Sequence, residues 1–460
     1  MKFRFALSCC ALWAVVAGSL PAATLEREKA QPSAHEPARG QPAWVRTGTI
    51  YEINVRQYSA RGQFAAVTAD LARLQALGVD ILWLMPIHPI GELHRKGTLG
   101  SYYAIKDYFA VNPEFGTAED FRALVTAAHA RGMRVILDWV GNHVSPDNPL
   151  TTAHPEFFWR DEHGKLAPPH GTDWTDVVQF DFSAPGLLDY QASALLYWIQ
   201  KFGVDGYRCD VAWGLPTPFW NELTARVRAV KPDAFFLAEA ELPQQQVAAF
   251  HTSYGFDLHH AMNAVAQGKK GVSALDDALA KYRAHFPRGG SLMVFTSSHD
   301  ENSWAGTEFE RMGDGYAAFA VLTFLLDGVP MIYNGQEAGL DRRLNFFERD
   351  PIVWPHTAHP ALKQYQVLTA LRRSHPALHT GAAMRRLDTT ENGSIYAVLR
   401  EAGGKQVAGF LNLTAKNVKA DAFDPALAGE WRDAFTGETV MLNPLVPLEL
   451  RAWSYRVYVK

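Results

Sequence analysis

From Gly48 onward, short apolar or β-branched runs alternate with segments whose apolar residues recur at helical spacing. The strand-like runs are TIYEINV, DILWLMP, RVILDWV, GYRCDV, AFFLAEA, YGFDLH, SLMVFTSSHD and VPMIYNG. Between them lie patterns such as Val67, Leu71, Leu74 and Leu77, or Leu188, Leu195, Ile199 and Phe202, each giving a helix one apolar stripe. Eight such units predict a closed α/β (β/α)8 TIM barrel over residues 44–378. An open doubly wound sheet fits less well, because no glycine-rich phosphate fingerprint follows the first strand. Residues 141–180, after the third strand, are rich in Pro, His and Trp and too long for an ordinary loop, so a short inserted subdomain is expected there. From His379 to Lys460, strand-like runs such as SIYAVLR and QVAGFLNL, separated by Gly and Asn turns, predict a C-terminal antiparallel β-sandwich domain over 379–460.

The N-terminal residues break this rhythm. Lys2 and Arg4, an apolar run from Phe5 to Ala17 and small residues up to Ala23 read as a signal peptide over 1–23. The run is too short to span a bilayer, so the mature chain is expected to have no membrane span and to be exported, to a periplasm or the medium. Residues 24–43, rich in charge, Pro and Gln, read as a flexible lead-in. A formal net charge of −4 argues against nucleic acid or an anionic membrane as partner and favours an uncharged ligand. Cys9 and Cys10 lie in the leader, which leaves Cys209 without an internal disulfide partner.

Charged residues in strands that should be buried mark the chemistry. Arg208 and Asp210 are two apart on the fourth strand and share a face. Asp138, Asn142 and His143 fall at the end of the third strand, Glu239 at the end of the fifth, and His299 and Asp300 at the end of the seventh. That is the face where such barrels keep their active sites. Converging carboxylates suit a divalent metal or a glycosidic bond. The metal reading is weaker, since no H-E-x-x-H or Cys/His spacing occurs and Arg208 would repel a cation. Glycoside hydrolysis needs one ionised and one protonated carboxyl group. Arg208 favours ionised Asp210, and the apolar setting FFLAEA raises the pKa of Glu239. Asp138 reads as an ion-pair partner of Arg208, Cys209 as core, and Glu301 and Glu337 as structural. Trp159, Trp174, Trp213 and Trp304 sit in mouth loops where they could stack on sugars.

The segments DWVGNH (Asp138 to His143), GYRCD (Gly206 to Asp210), LAEAE around Glu239 and FTSSHD (Phe295 to Asp300) resemble, in order and spacing, the four signature regions of the α-amylase superfamily, glycoside hydrolase family 13. GTIYEINVRQYS, SYYAIKDYFAVNPEFGT and GVPMIYNGQEAG extend the resemblance over the whole barrel. It implies that Asp210 is the nucleophile, Glu239 the general acid/base, and Asp300 a transition-state stabiliser that binds sugar hydroxyls. Tyr103 resembles the family's aromatic platform, and Arg208, His143 and His299 would orient the sugar. Trp213 and Gly214 stand where many α-amylases carry Lys and His, a departure that bears on acceptor and calcium contacts. Asn142 and Asp181 match positions that bind structural Ca2+ in many relatives. The implied reaction is a retaining double displacement on α-1,4-glucosidic bonds of starch-type glucans or maltooligosaccharides, through a covalent glycosyl-enzyme. The short insert implies an open cleft and endo action or action on short oligosaccharides. A transglycosylase or a non-catalytic glucan-binding protein is the alternative, and the presence of all three carboxyl residues argues against the latter.

Overall fold

The computed structural model describes residues 28–460. Eight parallel strands close into a barrel: β1 Ile50–Ile53, β2 Ile81–Leu84, β3 Arg134–Val140, β4 Gly206–Asp210, β5 Phe235–Ala238, β6 Thr252–Tyr254, β7 Leu292–Val294 and β8 Val329–Tyr333. Apart from Arg134, every residue of these strands is buried, because alternate side chains face two different cores. Ile50, Trp83, Ile136, Leu237, Met293 and Met331 fill the barrel interior. Tyr51, Leu82, Leu137, Tyr207 and Phe236 face outward, into the core shared with the surrounding helices. On β4 this alternation sends Tyr207 and Cys209 outward, which turns Arg208 and Asp210 into the barrel mouth. Register then sets Arg208 beside Asp138 of β3 and Leu237 of β5.

Two strands differ from their sequence reading. The sixth is not YGFDLH; it ends at Tyr254, and Phe256–Ala266 is a helix. Leu258, Ala261, Met262 and Val265, its buried residues, have helical rather than alternating spacing. The seventh stops at Val294, and Phe295 to Asp300 leave the ladder to cross the mouth, where Arg311 ties down the Thr296 carbonyl.

The described part of the lead-in, from Glu28, is strapped to the outside of the barrel. The Glu28 carboxylate accepts hydrogen bonds from the Thr217 N–H and hydroxyl at 2.8 and 2.7 Å. Further along, the Ser33 N–H donates to the His285 carbonyl and the Arg39 N–H to the Gln246 carbonyl. A composition rich in charge and Pro does not reveal such backbone partners. The signal peptide predicted over 1–23 lies outside the described residues. Among the described residues no helix is long and apolar enough to cross a membrane. Within the insert, two short strands, His143–Val144 and Val178–Gln179, pair antiparallel and return the chain to the barrel.

The C-terminal strands are β9 Ala383–Arg386, β10 Ile395–Ala402, β11 Lys405–Asn412, β12 Val418–Phe423, β13 Gly429–Asp433, β14 Thr439–Leu442, β15 Leu445–Leu450 and β16 Tyr455–Val459. They form a six-stranded antiparallel sheet, order β9-β10-β11-β16-β13-β14, and a two-stranded one, β12-β15. Ile395, Ala397 and Phe410 of the large sheet pack against Ala420, Leu448 and Leu450 of the small one. Tyr396, Val398, Val407 and Leu411, on the other face of β10 and β11, belong to the core of the barrel's helices.

Gly206, where β4 enters the barrel, is held against β5 so closely that a Cβ there would lie 2.1 Å from the Phe235 carbonyl oxygen. Gly206→Ala must push the strand that carries Asp210 off its neighbour. We expect a loss of about 2 kcal/mol or more, read as a lowered Tm together with reduced activity; a variant with unchanged Tm would show that this approach is not tight.

Candidate active site

A cavity of about 570 Å³ opens at the carboxyl ends of the strands and is lined by Tyr103, His143, Asp210, Glu239, His299 and Asp300 among others. Beneath it lies Arg208, which is fully buried. Its Nη1 donates to Asp138 Oδ1 and to Asp210 Oδ1, both at 2.8 Å, and its Nε to the Tyr254 hydroxyl at 3.2 Å. Nη2 lies 3.1 Å from Glu239 Oε2, an ion-pair distance without the alignment of a hydrogen bond. Burial opposes the Arg208 charge, but Asp138 and Glu239 hold it firmly protonated.

Arg208 thus meets Glu239 in addition to Asp138 and Asp210, the two partners the sequence suggested. One guanidinium serves three carboxyl groups, and burial pushes all three up: Asp138 to about 6, Asp210 and Glu239 each to about 7, with Arg208 pulling the other way. Asp210 raises the pKa of Glu239, and Asp138 and Asp300 raise that of Asp210, so these carboxyl groups titrate together, and with both near 7 the Asp210–Glu239 pair retains a proton near neutrality. The aligned 2.8 Å bond from Arg208 favours Asp210 as the ionised member. Glu239 Oε2 accepts the Val211 N–H at 2.7 Å. Val211, directly after Asp210, is held at φ 46° and ψ 42°, a left-handed conformation that a β-branched residue adopts only under constraint. This turn aims one N–H at Glu239 while ending the strand that carries Asp210.

On the opposite wall, His299 Nδ1 makes a very short hydrogen bond with Glu52 Oε1, and its Nε2 lies 2.7 Å from the Tyr103 hydroxyl and 3.2 Å from Asp300 Oδ2. Burial alone would lower the His299 pKa, but Asp300 and Glu52 outweigh it and lift the value to about 9. As an imidazolium, His299 donates from both ring nitrogens. The Tyr103 hydroxyl passes the chain on to Asp138 Oδ2 at 3.2 Å, so one network joins Glu52 on β1 to Arg208 and Asp210 on β4. The Tyr103 ring stacks on His299 with centroids 5.5 Å apart. Buried His143 is driven down to about 3 and stays neutral, and its ring meets Trp174 edge-on.

Sequence reasoning missed Glu52, although a glutamate inside the apolar run TIYEINV is the same kind of signal that marked Arg208. Trp174 and Trp304 line the cavity, as the sequence suggested. Trp213 does not: it is half-buried against the main core, in the turn Ala212–Gly214. Asn142 and Asp181 do not supply a calcium site by themselves. Asn142 Oδ1 is buried without a partner, whereas the Asp181 carboxylate is taken by the N–H and hydroxyl of Ser183. Among the described residues no three His, Cys, Asp or Glu side chains converge as metal ligands, and Ca2+ prefers six or more oxygens. Glu337 is engaged by Tyr51 and Arg73, and Glu301 by His259 and Arg311.

Glu52→Gln keeps the shape of the Glu52 side chain and removes its charge. We expect the His299 pKa to fall from about 9 and kcat to drop about 10- to 100-fold, the range found when the outer partner of a functional imidazole is lost. Because its folded pKa is raised, His299 stabilises the fold fully below about pH 6.5 and loses that contribution as pH climbs through about 9. The variant should flatten this part of the Tm-against-pH curve. A 15N NMR spectrum in which His299 of the variant is still doubly protonated at pH 8 would refute the assignment.

Comparison with known proteins agrees with this geometry. A family model for the α-amylase catalytic domain matches residues 40–174 and 172–364. The chain is 28% identical over 360 residues to α-amylase MalA of Haloarcula japonica, a match covering 75% of this chain and 51% of that protein, so it spans about half the length of this relative. An α-1,4-glucan:maltose-1-phosphate maltosyltransferase of Pseudomonas aeruginosa is 28% identical over 451 residues, covering 89% of this chain and 65% of that protein. The crystal structure of an α-amylase from Lactobacillus plantarum matches with a TM-score of 0.81 at 34% identity, covering 91% of this chain and 99% of that one. The barrel, the residues at its mouth and the extent of the family match agree, and the chain belongs to the α-amylase family of glycosidases.

Proposed function

We propose that the protein is a retaining hydrolase of α-1,4-glucosidic bonds in maltooligosaccharides or starch-type glucans. The observation that carries this reading is the pair Asp210 and Glu239, held on one buried guanidinium with both pKa values raised to about 7. In the first step the Asp210 carboxylate attacks the anomeric carbon while Glu239 gives its proton to the glycosidic oxygen, and the carbon–oxygen bond breaks. In the second, Glu239 takes a proton from water, which attacks the same carbon and releases Asp210. Asp300, half-exposed, and the His299 imidazolium are positioned to bind ring hydroxyls over the Tyr103 face. No step is routed through calcium.

Transfer to a sugar hydroxyl instead of water is the competing reading, supported by the likeness to a maltosyltransferase. The leader-like pattern of residues 1–23 supports export to a periplasm or the medium.

An NMR time course with maltoheptaose tests both readings. We expect the α-anomer first and shorter maltooligosaccharides; products longer than the substrate indicate transfer, and an initial β-anomer excludes retention. The profile of kcat/KM against pH should be a bell about neutrality, its acid limb set by protonation of the pair and its alkaline limb by loss of the Glu239 proton. Glu239→Gln should reduce kcat on unactivated glucans by about 10²-fold or more. Asp210→Asn should abolish turnover yet raise Tm at pH 7 by a few degrees. The sign follows from burial: the folded pKa of Asp210 is raised, so the wild type loses stability as pH rises toward about 7, and the difference between the two proteins should vanish near pH 4. A Tm gain that persists unchanged at pH 4 would contradict it.

A further inference from the structure

The cavity is walled unevenly. Tyr103, Phe346, Phe347 and Trp304 form one run of touching rings along it, Trp174 lines it from the insert, and β4, β5 and their loops contribute only Val211 beside Asp210 and Glu239. The wall is continuous because its loops bind one another. The Trp304 ring stands 5.8 Å from that of Phe347. The Phe347 carbonyl accepts the Leu99 N–H at 3.1 Å, and Gly97 passes so near that a Cβ would lie 2.5 Å from Phe347 Cβ. One residue earlier, Lys96 reaches the insert: its Nζ donates to the Asp173 carbonyl at 3.2 Å and lies 3.4 Å from Asp176 Oδ1. Asp176 is only 4% exposed, so removing Lys96 would leave a buried carboxylate uncompensated, which keeps this latch shut.

The chemistry orients a substrate against this wall. Glu239 must protonate the glycosidic oxygen, so the departing, reducing-end part of the chain leaves on the Glu239 side. The sugar that reacts with Asp210 lies over Tyr103 and His299, and whatever precedes it in the chain runs toward the latch. We propose that the Lys96–Asp176 latch, with the Phe347–Trp304 wall, closes the glycone end of the cleft, so that the enzyme engages the non-reducing ends of α-glucans and releases short fragments. This rests on the hydrolase reading above and departs from the open cleft inferred from the short insert.

The test uses maltoheptaose labelled with nitrophenol at the reducing end, with and without a blocking group on the non-reducing terminal ring. Wild-type protein should yield, in its first turnovers, labelled chains shortened by only a few units, and should cut the blocked substrate at least about tenfold more slowly. Lys96→Ala should raise the ratio of internal to terminal cuts several-fold and reduce the penalty of blocking. Asp176→Asn, which leaves no unpaired buried charge, should do the same, so a folding defect in the first variant does not decide the matter. Internal cuts at all positions by the wild type, or unchanged ratios in both folded variants, overturn the closed end while leaving the hydrolase reading intact. Failure of folded wild type to cut either substrate, or maltoheptaose itself, overturns the hydrolase reading instead.

Discussion

Three carboxyl groups converge on one buried guanidinium, and the mouth of the barrel is organised around keeping that imbalance tolerable. Arg208 can serve Asp138, Asp210 and Glu239 together because its planar fork presents several donors in fixed directions, which an ammonium group would not. The rings of Trp83, Tyr103 and Tyr254 surround it, their centroids 5.3, 5.7 and 5.6 Å from its central carbon. Removing Arg208 would leave these buried carboxyl groups without their cation, the case in which breaking a buried ion pair costs about 3–5 kcal/mol. Burial, only partly offset by the single guanidinium, is what holds a proton in the Asp210–Glu239 pair at neutral pH. The strained backbone at Val211 belongs to the same compromise: the fold tolerates an unfavourable conformation to keep Asp210 and Glu239 within reach of one another.

The network from Glu52 through His299 and Tyr103 to Asp138 gives the site a second cation, which helps Arg208 to offset the Asp138 charge. His299 draws its charge chiefly from Asp300 and Glu52, against the opposing effects of burial and Arg208. The two cations are therefore supported from different strands, β1 and β4. The floor of the site is tied across the whole barrel rather than built on one loop.

Most of the barrel was legible because its strands are short, mostly apolar, and separated by helices of clear period. The misreading of YGFDLH has a local cause: Gly255 stops the strand, and the apolar residues after it already belong to a helix. The charged strand-end residues were legible for the reason that drew attention to Arg208, namely that a buried strand carries a charge only when something requires it. Glu52 carried that signal and was passed over. Trp213, read as a mouth residue, follows β4 directly and stands half-buried against the main core. Lys96, Asp176 and Phe347 gave no sequence signal, because their role exists only when three loops far apart in the chain meet over the cavity.

The C-terminal sheets bear on how far this protein can be taken apart. Strands β10 and β11 bury both faces, one against the small sheet and the other in the barrel's outer core, with Leu325 fitted against Gly409 and the Arg400 guanidinium bound to the Leu325 carbonyl. There is no seam here along which modules could be exchanged. A barrel cut off before Ala383 would expose an apolar strip to solvent and leave the Leu325 carbonyl without its guanidinium partner. The sheets act as a buttress for the catalytic half, and grafting this barrel onto another partner means redesigning that shared surface first.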